Sequence, residues 1–324
     1  MARKKQTILV TGGAGFIGSH LAQKLLVSGY KIVIVDNLNN YYHPGLKKDR
    51  LKHLLAGRDF IFFKTDITDF AALKKVFEKY HFDAICHLAA QAGVRHSFAN
   101  PLLYGQVNVL GTINLLELAR QFGVKKFIFA SSSSVYGEGQ RIPFRESAPL
   151  SRPLSFYGAT KQTKEALAQM YHRLYGLKAV GLRFFTVYGP WGRPDMAYFK
   201  FANLIRQGEP IDVYNFGKMK RDFTYIDDIV EGILAAVEND FDFEIFNLGN
   251  NQPVQLEKMI SLLEGFLGQK AQRRYLDMQP GEAKATWAEI SKAKKMLGFN
   301  PKTSVEEGLR NFTDWYKKYY KIKK

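Results

Sequence analysis

A single cysteine, Cys86, is all the thiol this 324-residue chain contains. One thiol makes neither an intrachain disulfide framework nor a thiolate metal cluster. Long apolar runs are missing too, since none approaches the ~20 residues that a membrane-spanning helix needs. Met1–Lys5 imitates the basic start of a signal peptide, but the apolar run after it is only Ile8-Leu9-Val10. That is too short for a signal sequence, so a soluble, cytoplasmic protein is expected. The seven histidines show no HxxxH or HExxH spacing, so no metal site is expected. Acid is scarce: 30 Asp+Glu face 47 Lys+Arg, a formal net charge of +17. Such an excess invites a nucleic-acid or membrane-surface reading. Its cations, however, are scattered as pairs such as Lys47-Lys48, Lys74-Lys75 and Lys125-Lys126. None lies in a recognised nucleic-acid module, so no nucleic-acid partner is expected.

What is present is a globular composition, 46% hydrophobic and 24% charged, in a chain long enough for roughly two domains. The first half alternates strand and helix patterns. Thr7–Thr11, Lys31–Asp36, Phe60–Lys64, Ala84–His87, Lys126–Ala130 and Ala179–Phe184 read as strands. KIVIVD at 31–36 is apolar without alternation, as a strand buried on both faces is. Helical spacing fills Gly15–Ser28 and, at greater length, Leu102–Phe122 and Tyr157–Tyr175. Alternating β and α predicts a doubly wound parallel α/β sheet of the Rossmann type. After Phe185 the rhythm breaks at Gly189-Pro190 and Arg193-Pro194. A Rossmann domain over 1–185 and a smaller substrate-binding lobe over 186–324 are expected. Strand-like Asp222–Ile226 and Glu244–Leu248 are expected to rejoin the main sheet.

The strongest local signal is Thr11-Gly12-Gly13-Ala14-Gly15-Phe16-Ile17-Gly18. Glycines 12, 15 and 18 lie between a strand and a helix. They allow a tight turn, close approach of the backbone to a pyrophosphate, and helix–sheet packing, with the helix N-terminus offering N–H groups to the anion. Asp36 ends the next strand. A carboxylate there accepts hydrogen bonds from the ribose hydroxyls and repels a 2′-phosphate, which selects NAD over NADP. Asp66 and Ile67, after the third strand, are placed to meet the adenine edge. A helix-capping role serves Asp66 equally well.

Ser132, Tyr157 and Lys161 form a second constellation. Tyr157 and Lys161 are four apart and share a helix face. A phenol of pKa ≈ 10 is protonated at neutral pH. A neighbouring ammonium stabilises the phenolate, which then takes a proton from a sugar hydroxyl. Ser132 offers a hydroxyl to the reacting oxygen.

TGGAGFIGSH, DNLNNYY, HLAAQAGVR, SSSSVYG and YGATK follow in an order that resembles the extended short-chain dehydrogenase/reductase family, and in particular its nucleotide-sugar epimerases. The resemblance covers nearly the whole chain. It implies Tyr157 and Lys161 as the catalytic pair, Ser132 as the catalytic hydroxyl, and cofactor contacts at Asn37, Ala89 and Lys161. It also implies a homodimer formed by the helices near Leu102–Phe122 and Tyr157–Tyr175.

The branch is read from two loops. Relatives that dehydrate or decarboxylate their sugar carry an acid ahead of Val135-Tyr136-Gly137, whereas here the stretch is four serines, 131–134. Elimination needs a positioned acid and base, so epimerisation is favoured. The run Arg183–Ala197 is more similar to UDP-glucuronate 4-epimerases than to UDP-galactose 4-epimerases, which usually have Asn where Thr186 stands. A uronate's carboxylate must be paired if buried. Arg193 offers a fork for it, Thr186 a hydroxyl, and Arg95 a second, weaker candidate. By the same resemblance Arg221 holds phosphate and Tyr214 stacks on uracil. Gln279 stands where some relatives have a second phosphate arginine. The expected reaction is reversible C4 epimerisation of UDP-glucuronate. A neutral UDP-sugar 4-epimerase and a UDP-glucuronate decarboxylase are the alternatives.

Overall fold

The computed structural model describes residues 6–278 and 283–322. Seven parallel strands form the main sheet: β1 (Thr7–Thr11), β2 (Lys31–Asp36), β3 (Ile61–Lys64), β4 (Ala84–His87), β5 (Lys126–Ser132), β6 (Lys178–Phe184) and, much later in the chain, Phe243–Leu248. The order across the sheet reverses at β1, with β2 and β3 on one side and β4, β5, β6 and Phe243–Leu248 on the other. Ligands of open α/β sheets bind outside the carboxyl ends of the strands at such a switch point.

Alternation of side chains across the sheet builds two apolar layers. Ile8, Val10, Ile32, Ile34 and Cys86 face one side. Leu9, Val33, Val35, Ile85 and Phe127 face the other, where they meet Leu115, Leu118 and Ala168. Burial pushes the Cys86 thiol up to about 12, so it is an inert packing residue.

Beyond Phe184 come β7 (Thr186–Tyr188), β8 (Ile211–Tyr214), β9 (Lys220–Tyr225), β10 for the returning Phe243–Leu248, β11 (Pro253–Gln255), β12 (Arg273–Leu276) and β13 (Ala285–Thr286). Of the two strands expected to return to the main sheet, β10 does so, parallel to β6. The stretch read as Asp222–Ile226 does not. It is β9, which lies in a separate small sheet between β11 and β13 and also pairs with β7. Asp222 explains the placement. Its fully buried carboxylate accepts from the backbone N–H of Asn250, Asn251 and Ala288, and so anchors the second sheet.

The long helix expected over Leu102–Phe122 is also modified. Helical backbone runs from Pro101 to Gln121, but Gly105–Leu110 is a π-helical stretch. Its wider turn carries Asn108 inward. There the Asn108 amide accepts from Gln91 N–H and donates to Gln91 O and Thr160 Oγ1.

Candidate active site

The cofactor side begins at the strand-to-helix turn. Gly12 has φ +71°, and a Cβ there would lie 2.7 Å from Ala89 N. A Cβ on Gly18 would lie 2.1 Å from Gly12 O. Both positions therefore exclude any larger residue, because it would displace backbone. Helix Phe16–Val27 starts at Gly15 without a capping side chain, which leaves its N-terminal donors for an anion. Asp36 closes this loop onto β2: its carboxylate accepts from Ala14 N (3.1 Å) and Leu38 N (2.8 Å). Gly12, Gly15, Phe16, Ile17, Gly18, Asp36, Asn37, Ile67 and Ala89 all line one cavity. The glycine cradle, the strand-end carboxylate and the uncapped helix together fit a dinucleotide.

Asp66 lies between Thr65 and Ile67, which line that cavity, and its carboxylate accepts from Asn37 Nδ2 (2.7 Å) and from Thr68. Burial opposes its charge, but bonds from Thr68 and Asn37 hold its carboxyl below the ordinary value. Asp66 therefore orients Asn37, which does line the cavity.

Helix Phe156–Tyr175 carries Tyr157 and Lys161. Ser155 caps it by accepting from Gly158 N (3.0 Å). A Cβ on Gly158 would lie 2.7 Å from Ser134 O, so glycine lets the helix close onto the serine loop. Tyr157 is in the first turn and Lys161 one turn on, its Nζ 5.5 Å from the Tyr157 ring centre. Lys161 is buried and donates to Ala130 O at 2.8 Å. Burial lowers its pKa from the ordinary value, while Tyr157 and Glu165 work the other way. Ser132, at the end of β5, accepts from Ser134 N at 3.2 Å. The strand end is held from behind: Ser131 donates to Glu165 Oε1 (2.5 Å), and Arg183 grips the same carboxylate with Nε (2.9 Å) and Nη2 (2.8 Å).

A second cavity is lined by Arg95, Ser132, Tyr157, Thr186, Arg193, Tyr214 and Arg221. The two cavities meet at Tyr41, Ser132, Tyr157, Phe185, Arg193 and Met196, which line both. Arg95 lies over the Tyr214 ring, 4.6 Å from its centre, and so covers one face of the aromatic expected to stack on uracil. Arg221 donates to Lys220 O (3.0 Å). Gln279 lies outside the described residues. Among the described residues no group of three or more His, Cys, Asp or Glu is placed to hold a metal.

Arg193, expected to offer a fork to a substrate carboxylate, lines both cavities, and its Nε and Nη2 also grip Asp195, at 3.1 and 2.5 Å; Tyr41 donates to the same carboxylate at 3.1 Å. Burial and Asp195 push the Tyr41 phenol up to about 12. A residue two places along the chain thus occupies the bidentate edge.

Sequence reasoning also missed Tyr41, Lys47, Arg50 and Asn108. Lys47 lines the cofactor cavity and donates to Asn39 O and Oδ1. Arg50 is 0% exposed. It donates to Ala14 O in the glycine turn, to Tyr42 OH, and to Trp191 O and Gly192 O in the second half of the chain. The DNLNNYY stretch carries part of the family resemblance, but the partners of these residues at Trp191, Gly192 and Asp195 lie too far away in sequence to be read.

Residues 8–249 match the model of the NAD dependent epimerase/dehydratase family. The chain is 51% identical over 316 residues to an uncharacterized protein of Methanocaldococcus jannaschii, covering 97% of each. It is 48% identical over 310 residues to a UDP-glucuronate 4-epimerase of Thermodesulfobacterium geofontis, covering 95% of each. The crystal structure of a Bacillus cereus UDP-glucuronic acid 4-epimerase, solved with UDP-glucuronic acid and NAD, superposes with a TM-score of 0.90 at 38% identity, over 97% of this chain and all of that one. With its glycine cradle, its strand-end Asp36 and its Tyr157–Lys161 helix, this chain belongs to the NAD dependent epimerase/dehydratase family.

Proposed function

We propose that the protein is a UDP-glucuronate 4-epimerase that interconverts UDP-glucuronate and UDP-galacturonate. The observation that carries this reading is the junction of the two cavities. There Ser132, Tyr157 and a guanidinium, Arg193, face one space, beside a 131–134 loop with no acid. NAD, which the Gly12–Gly18 turn and Asp36 would hold, would supply an acceptor for the C4 hydride and its source on the return. Tyr157 removes the O4 proton as the carbonyl forms and later gives it back. Lys161 stabilises the phenolate between these events. The Ser132 hydroxyl holds O4, and Arg221 supplies positive charge for the diphosphate. The 4-keto sugar turns about its diphosphate link and presents its other face to the same groups. That intermediate is a β-keto acid, prone to lose CO2. Arg193 holds the carboxylate near the ring plane, which keeps the breaking bond away from the carbonyl π system.

The test is incubation of the purified protein with UDP-glucuronate, UDP-glucose and UDP-xylose separately, with products read by proton NMR. A UDP-galacturonate signal is expected. UDP-pentose from UDP-glucuronate, or turnover of neutral sugars alone, sinks the reading. Pairing of Arg193 with Asp195 favours the neutral-sugar rival, because it already satisfies the guanidinium. No helix among the described residues is long and apolar enough to cross a membrane, in keeping with the cytoplasmic location proposed here. A homodimer is proposed through the helices over 101–121 and 156–175. They expose Leu102 (82%), Leu174 (63%), Tyr175 and Met170, an apolar set that a second copy would cover.

A further inference from the structure

An epimerase has a requirement that a decarboxylase or a dehydrogenase lacks: its intermediate must let go of the site, turn over and bind again. For a uronate this is a problem of charge. A bidentate Arg–carboxylate pair in a closed site is among the strongest polar contacts available. If Arg193 met the substrate with its full fork, the keto sugar would be held in one orientation.

The structure contains a competitor for that fork. Asp195 accepts from Nε and Nη2 of Arg193. It is itself fixed by the Tyr41 hydroxyl, which reaches it across 154 residues of sequence. Tyr41 in turn is braced edge-on by the His96 ring, with centres 4.8 Å apart. Asp195 lines the sugar cavity and Tyr41 lines both cavities. The guanidinium is therefore clamped from one edge, and its charge is largely cancelled before any substrate arrives.

We propose that Asp195, seated by Tyr41, is a positioning residue that weakens the grip of Arg193 on the substrate carboxylate to one point of contact, so that the 4-keto uronate is free to turn. Arg193 then guides the carboxylate at each end of the turn without trapping it. The inference rests on the uronate reading above. It differs from a plain folding role for Asp195 in the direction of its effects, because the substrate should bind tighter when Asp195 is neutralised.

Asp195→Asn removes the charge and keeps the shape. In a Tyr157→Phe background, which blocks the proton transfer, calorimetric titration should show UDP-glucuronate binding about fivefold tighter with Asp195→Asn, the size of one partly screened charge interaction. UDP-glucose, which has no carboxylate, should bind with a change of less than about twofold. With Tyr157 intact, Asp195→Asn should lower KM for UDP-glucuronate and lower kcat. More keto sugar should be recovered from the enzyme after an acid quench. Tyr41→Phe should shift both constants the same way by a smaller factor, because Asp195 keeps its charge but loses its seat. Weaker or unchanged UDP-glucuronate binding in Asp195→Asn, or equal changes for both sugars, overturns the inference. If the wild-type protein binds and turns over only neutral sugars, the functional reading fails and this inference fails with it. If wild type epimerises UDP-glucuronate but Asp195→Asn raises KM, the inference alone fails.

Discussion

At the scale of single residues, the proposed reaction requires Lys161 to keep its proton in a buried place. Its pKa lies below the ordinary lysine value because burial penalises the ammonium, and Tyr157 and Glu165 recover only part of the loss. In the proposed reaction the ammonium stabilises the phenolate. As pH rises, Lys161 therefore loses its proton before an ordinary lysine of pKa ~10.4 would. The alkaline fall in kcat should begin correspondingly early. A guanidinium keeps its charge over this range, so whatever activity Lys161→Arg retains should extend to higher pH. A pH profile of kcat for the two proteins checks this, and an alkaline limb that stays put in Lys161→Arg would remove Lys161 as its origin. Arg193→Ala should lower kcat/KM for UDP-glucuronate by roughly 10- to 100-fold, as loss of a charge-assisted hydrogen bond does, and should release UDP-pentose as a by-product. Unchanged turnover and product purity would remove the role given to Arg193. The candidate residues proposed for the reaction are legible in the sequence because their motifs are local: the glycine turn spans a few residues and Tyr157–Lys161 one helical turn. The state of Arg193 was not legible, since Tyr41, which fixes its partner, lies 154 residues from Asp195.

At the scale of elements, the sequence pattern located every strand of the main sheet, because a buried parallel strand is a continuous apolar run with few alternatives. It failed where two elements have the same local pattern and differ only in their partners. Lys220–Tyr225 and Phe243–Leu248 are both six-residue strands, yet only the second returns to the main sheet. The first is claimed by the buried Asp222 and its backbone donors. The π-helical stretch Gly105–Leu110 was equally hidden, since one wider turn leaves apolar spacing almost unchanged. Close approach of helix Phe156–Tyr175 to the serine loop yields a sharper consequence. A Cβ on Gly158 would press on the Ser134 carbonyl, which belongs to backbone and yields little. Gly158→Ala should therefore cost about 1–3 kcal/mol, lower Tm, and move Tyr157 away from Ser132. Calorimetry and kcat together test it. A stable, fully active Gly158→Ala protein would mean that the loop gives way freely.

For the whole molecule, the question is how a cofactor half and a substrate half come to act as one. A single apolar cluster runs from Ile8 and Val10 in β1 through Phe184 and Tyr198 to Phe312 and Tyr316 in the final helix. The halves therefore share their core and should unfold in one cooperative transition. Arg50 adds a polar tie at the opening between them. It is fully buried, and among the described residues its hydrogen bonds go to carbonyls and a hydroxyl, those of Ala14, Trp191, Gly192 and Tyr42. Burying a guanidinium without an acid partner costs several kcal/mol. The glycine turn it braces is where a pyrophosphate would bring negative charge. Cofactor and Arg50 should then stabilise each other, and ligand bound only to the folded state raises Tm by mass action. Arg50→Met keeps most of the side-chain volume but leaves three buried carbonyls short of a donor. It should lower the NAD retained through gel filtration, lower Tm, and shrink the Tm gain on adding NAD. If Arg50→Met instead retains NAD as wild type does while losing only thermal stability, Arg50 is a strut between the halves and has no part in holding the cofactor.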